Sequence, residues 1–102
     1  MPAATASARN RAGVLVLNWN GADVLRPCLE SLLPYVASPH TVLVVDNAST
    51  DGSADRIEED FPGVECLRLE KNYGFAEGNN RGIAYLRETH PDITFIALLN
   101  ND

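Results

Sequence analysis

Asp46 follows the apolar run Val42–Val45 directly, and Asp102 follows Asn100 and Asn101 at the end of the run that closes at Leu99. A carboxylate at the end of an apolar strand can accept from a nucleobase N–H or a ribose hydroxyl. Together with phosphate oxygens it can also share a divalent cation. Two further polar clusters follow apolar runs, "NWNG" after Leu17 and "EKNYGFAEGNN" after Leu69. Asn, Asp and Gly are ordinary turn residues taken singly. Four such clusters in succession, two of them presenting an acid, point to one ligand rim. Asp51, next to Gly52, suits a helix cap, so the ligand role goes to Asp46. The sequence has neither GxGxxG after its first apolar run nor GxxxxGK[ST], so neither phosphate-binding glycine loop serves here. Charge for a phosphate-bearing ligand would come from Lys71, from Arg81 or, more strongly, from a divalent cation such as Mg²⁺ or Mn²⁺.

These clusters need elements to hold them. Four short runs rich in β-branched residues read as strands: Val14–Leu17, Thr41–Asp46, Val64–Leu69 and Thr94–Leu99. Two are continuously apolar, the pattern of parallel strands covered on both faces, whereas "VECLRL" alternates and belongs nearer an edge. Between them lie three helical stretches. In "ADVLRPCLESLLPYV", Leu25, Cys28, Leu29, Leu32 and Leu33 form an apolar stripe, and Pro27 is expected to kink or restart the helix. "SADRIEEDF" has Asp51 or Ser53 as its expected N-cap. "AEGNNRGIAYLRETH" buries Ile83, Leu86 and Tyr85 and ends before Pro91. Its Gly78 and Gly82 each cost about 1 kcal/mol against Ala, which implies close packing there. Gly74 suits a positive φ or a close backbone approach to a ligand. The order β-α-β-α-β-α-β argues for an α/β domain with a mostly parallel sheet. Ligands of such sheets bind beyond the carboxyl ends of the strands.

Composition narrows the function classes. The chain has 102 residues, a length for one small domain, and a net charge of −6 with its basic residues scattered, which argues against a nucleic-acid partner. Cys28 and Cys66 sit in apolar surroundings and read as buried, reduced thiols. Residues 1–12 read as a disordered tail and 13–102 as the folded unit. No run approaches the roughly 20 apolar residues of a membrane span, and the first apolar run is too short for a signal peptide. A cytoplasmic location is therefore expected, with peripheral association at the cytoplasmic face of a membrane open to the whole protein.

The stretches "VLVLNWNGADVLRPCLESLL", "VVDNASTDGS", "NYGFAEGNNRGI" and "LLNND" resemble, in order and spacing, the successive motifs of the family 2 inverting glycosyltransferases. Within that family the rhamnosyltransferase-like branch is most similar. The resemblance covers Val14 to Asp102 and implies the Rossmann-like, nucleotide-binding GT-A fold, truncated here. It implies a nucleoside-diphosphate sugar as donor, with rhamnose the sugar the branch suggests, a divalent metal, and a glycan or lipid-linked acceptor in polysaccharide synthesis. By position it implies that Leu17, Asn18 and Asn20 border the nucleotide and that Asp46 contacts the base or ribose. Lys71, Asn72 and Gly74 match the loop that closes over the base, and Asn80 matches a recurrent Asn of the next helix. Asn100, Asn101 and Asp102 match the DxD element, with Asn100 near the ribose and Asp102 on the metal. The first acid of that element is Asn100 here, which keeps an acceptor oxygen and loses the charge.

In an inverting transfer an acceptor hydroxyl displaces the nucleoside diphosphate, which a metal neutralises as it leaves while a general base takes the proton. The resemblance puts that base, an Asp or Glu, beyond Asp102. The expectation is a donor-binding part of a glycosyltransferase, inactive in isolation; the alternatives are a non-catalytic nucleotide-binding module or a gene remnant. A receiver-like phospho-acceptor domain would need an acidic cluster at the first strand, and "NWNG" supplies none.

Overall fold

A computed structural model describes residues 11–36 and 40–101. The elements are β1 (Ala12–Asn18), α1 (Ala22–Leu32), a 3₁₀ turn (Leu33–Tyr35), β2 (Thr41–Asp46), α2 (Ser53–Asp60), β3 (Glu65–Arg68), α3 (Gly74–Thr89) and β4 (Phe95–Asn100). The sheet has 4 strands in the order β3-β2-β1-β4, and every neighbouring pair is parallel. Parallel pairing follows from the helical crossovers between successive strands.

Side chains alternate across this sheet and build two cores. Val16, Val42 and Val44 face one way, packing with Leu25 and Leu29 of α1 and Ile57 of α2. Leu15, Leu43 and Val45 face the other way and pack with Leu69 and with Leu86 of α3. The stripe read from the first helical stretch is the one that packs: Leu25 and Leu29 are buried, while Cys28, Leu32 and Leu33 are partly so. The helix runs through Pro27 without a restart. Pro27 is exposed, as is Asp23 one turn before it, so water can serve the carbonyl that Pro27 leaves without a donor.

Gly78 and Gly82 are where α3 meets the sheet. A Cβ on Gly82 would lie 2.5 Å from both Leu15 Cδ1 and Val45 Cγ2; one on Gly78 would lie 2.9 Å from Leu17 Cδ1 and Asn47 Nδ2. The glycines that weaken the helix are what let it approach.

Four expectations change. The N-cap of α2 is Gly52, at φ 80°, rather than Asp51 or Ser53; Asp51 instead receives the backbone N–H and hydroxyl of Ser53 at 3.0 and 2.6 Å. Helix α3 starts at Gly74, two residues before Ala76. Strand β1 starts at Ala12, inside the stretch assigned to the tail, of which residues 1–10 lie outside the described residues. Coverage on both faces holds for β2, buried throughout. It fails for β4, whose residues are exposed apart from half-buried Ile96. The reason is lateral: α3 lies over β1 and β2, and β4 is the strand outside β1. The alternating strand β3 is the opposite edge.

The amino-terminal rim is closed by polar pairs. Arg11 donates to Asp92 Oδ1 at 2.7 Å and to Thr41 Oγ1 at 2.6 Å. His90 Nε2 faces Glu65 Oε2 at 2.7 Å. This rim ties β1, β2, β3 and the end of α3 together and leaves the carboxyl rim to the loops.

Candidate functional site

Register brings the strand ends side by side. Asn18 is opposite Asp46, Asp46 opposite Arg68, and Leu17 opposite Asn100. Asn18 and Asp46 are therefore the last residues of paired strands rather than loop residues, and both are buried.

Asn18 is the centre of a hydrogen-bond network. Its Nδ2 donates towards Asp46 Oδ1 at 3.0 Å and Ser53 Oγ at 2.9 Å, with Ser49 Oγ also within 3.3 Å. Its Oδ1 accepts from Asn101 Nδ2 at 2.9 Å. One amide thus joins the ends of β1, β2 and β4 to the first residue of α2. An amide suits this place because it donates and accepts at once, whereas a carboxylate could only accept.

Asp46 accepts at both oxygens. The Ser49 hydroxyl reaches Oδ1 at 2.7 Å, and the Ser49 N–H, three residues on, reaches Oδ2 at 3.0 Å, closing a local side-chain-to-backbone turn. Asp46 therefore forms a local turn of its own, besides the ligand role the sequence gives it, and Oδ2 accepts a single described bond. Asp46 also borders an open groove of about 390 Å³, with Ser49, Asp55, Arg68 and Leu69. The turn forces Ala48 to φ 61°, a left-handed conformation that costs a non-glycine residue about 1–2 kcal/mol. Asp51 clamps two helix starts, accepting from Ala22 N at 3.0 Å as well as from Ser53. The Ser53 hydroxyl, with the backbone donors, holds its carboxyl below the usual carboxylate range.

Asn20 is exposed, at φ 48°, and its Oδ1 accepts from Thr50 N at 2.7 Å. Leu17 is half-buried beside Gly78. Asn72 Oδ1 accepts from Gly74 N at 2.8 Å, and Gly74 takes φ 84° with open space around it. The positive φ read for Gly74 is present, and the Asn72 bond makes a tight turn of the pair. Asn100 is exposed at the end of β4, where it lines a small pocket with Phe75, Asn79, Leu98 and Leu99. Asn80 is exposed; its neighbour Asn79 is the buried one, donating to Phe75 O at 3.0 Å. Asp102 lies outside the described residues.

Both positive charges named from the sequence are engaged. Arg81 lies over the Tyr73 ring at 3.7 Å and donates to Glu77 at 3.0 Å, and Lys71 lies 5.0 Å from the same ring. The Tyr73 hydroxyl donates to Glu70, so Lys71 and Arg81 brace the loop before α3. Arg68, at the end of β3, was not singled out from sequence. It donates to Asp55 at 2.6 Å and to Glu58 at 2.5 Å, and those two carboxylates hold its guanidinium charged.

Sequence reasoning also passed over Asn47 and Ser49, which read as ordinary turn residues, and gave Ser53 only a cap. The signal for Ser49 is "DNASTDGS" itself, where an Asp is followed three residues on by a residue whose N–H and hydroxyl can both reach its carboxylate. Cys28 and Cys66 are free thiols, half-buried rather than fully buried. Burial raises both, and Cys66 reaches about 11 with help from Glu58 and Asp46.

Among the described residues no group of three or more His, Cys, Asp or Glu is placed to hold a metal ion. The donors at the end of β4 are the side-chain oxygens of Asn100 and Asn101. By type these suit Mg²⁺ or Mn²⁺, which favour oxygen.

Residues 13–102 match the family model described as glycosyl transferase family 2. An N-acetylglucosaminyl-diphospho-decaprenol L-rhamnosyltransferase of Mycobacterium tuberculosis is 33% identical over 79 residues, covering 78% of this chain and 26% of that protein. Among solved structures, a mannosyltransferase of Pyrobaculum calidifontis in complex with GDP-Man and Mn²⁺ matches with TM-score 0.61 and 27% identity, over 74% of this chain and 24% of that one. TarS 1–349 of S. aureus in complex with UDP matches with TM-score 0.74 over 90% of this chain and 27% of its own. At 23% identity that second likeness shows the fold alone. The chain spans about a quarter of the length of these proteins.

Proposed function

This chain belongs to glycosyl transferase family 2 and has the α/β, GT-A fold, and from that premise we propose that its carboxyl rim binds the donor of an inverting sugar transfer. The donor is a nucleoside-diphosphate sugar, with a rhamnosyl group the first to test, and the acceptor is a glycan or a lipid-linked glycan in polysaccharide synthesis. The observation that carries the reading is the convergence of Asp46, with its groove, and the Asn72–Gly74 turn at one rim. A carboxylate oxygen there can accept from a base or ribose, while the open backbone of Gly74 can approach the ligand closely. Leu17, Asn18 and Asn20 border the nucleotide in this reading, Lys71 and Asn80 flank it, and Asn100 faces the ribose. Support also comes from the relatives: the mannosyltransferase was solved with GDP-Man and Mn²⁺, and the mycobacterial relative is a rhamnosyltransferase.

Asp102, with the neighbouring Asn side chains, is the group we propose to hold a divalent cation in the DxD manner. Bound there, such a cation supplies Lewis-acid neutralisation of the diphosphate leaving group. The described residues contribute orientation: Asn18 fixes Asp46 and Asn101 relative to each other, and Arg68 holds the Asp55 side of the groove. Because the chain spans a quarter of its relatives, sugar transfer is proposed for the whole protein. The 102 residues alone are expected to bind nucleotide without transfer. None of the described helices is long and apolar enough to cross a membrane; a cytoplasmic site of action, at the membrane face where lipid-linked acceptors sit, is part of the same proposal.

Calorimetric titration with UDP and with dTDP, each with Mn²⁺, tests the reading. Binding by the wild-type chain and its loss in Asp46→Ala are expected. No heat with either nucleotide, or unchanged binding in Asp46→Ala, would sink it.

A further inference from the structure

Asn47 is a buried polar residue to which the scheme above gives no part. Its backbone N–H donates to Asn18 O at 2.8 Å, fixing it to the end of β1. Its side chain turns the other way, towards the loop before α3. There Oδ1 accepts from Tyr73 N at 3.0 Å, and Nδ2 donates to Gly74 O at 3.1 Å. Helix α3 makes room for this side chain: a Cβ on Gly78 would lie 2.9 Å from Asn47 Nδ2. The Asp46 turn and the Asn72–Gly74 turn are thus tied together by one residue, which uses a donor and an acceptor simultaneously.

We propose that Asn47 is a positioning residue that couples the two halves of the nucleotide site, holding the Tyr73–Gly74 backbone at the height set by Asp46; the proposal rests on the nucleotide reading above. Contact at one half then lowers the cost of contact at the other, because the intervening backbone is ordered before the ligand arrives. Only an amide does this at neutral pH. Aspartate keeps the acceptor for Tyr73 N–H and loses the donor to Gly74 O, and it sets a second carboxylate beside Asp46. Alanine removes both bonds.

The test titrates UDP and dTDP with Mn²⁺ into wild type, Asn47→Ala and Asn47→Asp, well below the melting temperature of each. Asn47→Ala is expected to bind about tenfold more weakly, the scale of one net hydrogen bond, and to exchange its Tyr73 amide faster. Asn47→Asp supplies a readout that survives if the alanine variant fails to fold. Its buried carboxyl is raised by desolvation, so the protonated form, whose O–H can donate to Gly74 O, gains as pH falls. The ratio of Asn47→Asp to wild-type affinity should therefore rise between pH 7.5 and pH 5.5. A flat ratio, or wild-type affinity in Asn47→Ala, overturns the coupling role while wild-type binding and its loss in Asp46→Ala leave the nucleotide reading standing. Absence of wild-type binding overturns both.

Discussion

Asn18 shows how much a single side chain decides at this rim. It is wholly buried, and its amide meets groups from β2, α2 and the segment after β4. Replacing it by Ala removes a donor from Asp46 and Ser53 and an acceptor from Asn101 in a place water does not reach. We expect Asn18→Ala to lower unfolding stability by about 1–3 kcal/mol, the cost of leaving buried polar groups unpaired, measured by urea unfolding. A loss below about 0.5 kcal/mol would show that the network relaxes onto other partners. At the same scale, Asp46 and Asp51 are alike in sequence but differ in the structure. Each is an Asp a few residues before a serine, and each forms a local turn in the structure; only Asp46 is buried next to Asn18.

At the scale of elements, α3 is held by contact rather than by propensity. Its glycines sacrifice helix stability so that Leu15, Leu17, Val45 and Asn47 can sit beneath it. Gly82→Ala should gain up to about 1 kcal/mol in propensity and lose about 1–3 kcal/mol to overpacking. The loss wins because Leu15 and Val45 are fully buried and cannot step aside. Thermal unfolding should thus show a lower midpoint for Gly82→Ala; a higher one would mean that the core under α3 yields. The close packing was legible in "EGNNRGI", because two glycines in a helical stretch need a reason. Which Asn of the pair would be buried was not: Asn79 and Asn80 are chemically alike, and the angle at which α3 lies on the sheet decides between them.

At the scale of the molecule, β4 is the unprotected side. Among the described residues its backbone pairs with β1 only, and Phe95, Leu98 and Leu99 are exposed on it. Next to it a groove of about 460 Å³ runs between α3 and β4, lined by Ile83, Ile93 and Ile96 among others. A strand edge with apolar side chains favours association. Sedimentation velocity should show concentration-dependent association of this chain, weakened by Leu98→Glu. A single monomeric species across concentrations would refute this.

The sequence by itself determined the α/β alternation, the parallel order implied by helical crossovers, the close approach of α3 and the gathering of polar clusters at one rim. Those follow from periodicity and from the directionality of parallel strands, which are local properties of the chain. Tertiary structure decided what touches what: that Asn18 rather than a loop residue organises the rim, that Asp46 is both turn-former and groove residue, and that Asn47 ties two loops together. It also decided that Arg68 stands at the groove while Lys71 and Arg81 brace Tyr73. These are matters of strand register and of where each helix crosses the sheet, set by packing between residues far apart in sequence.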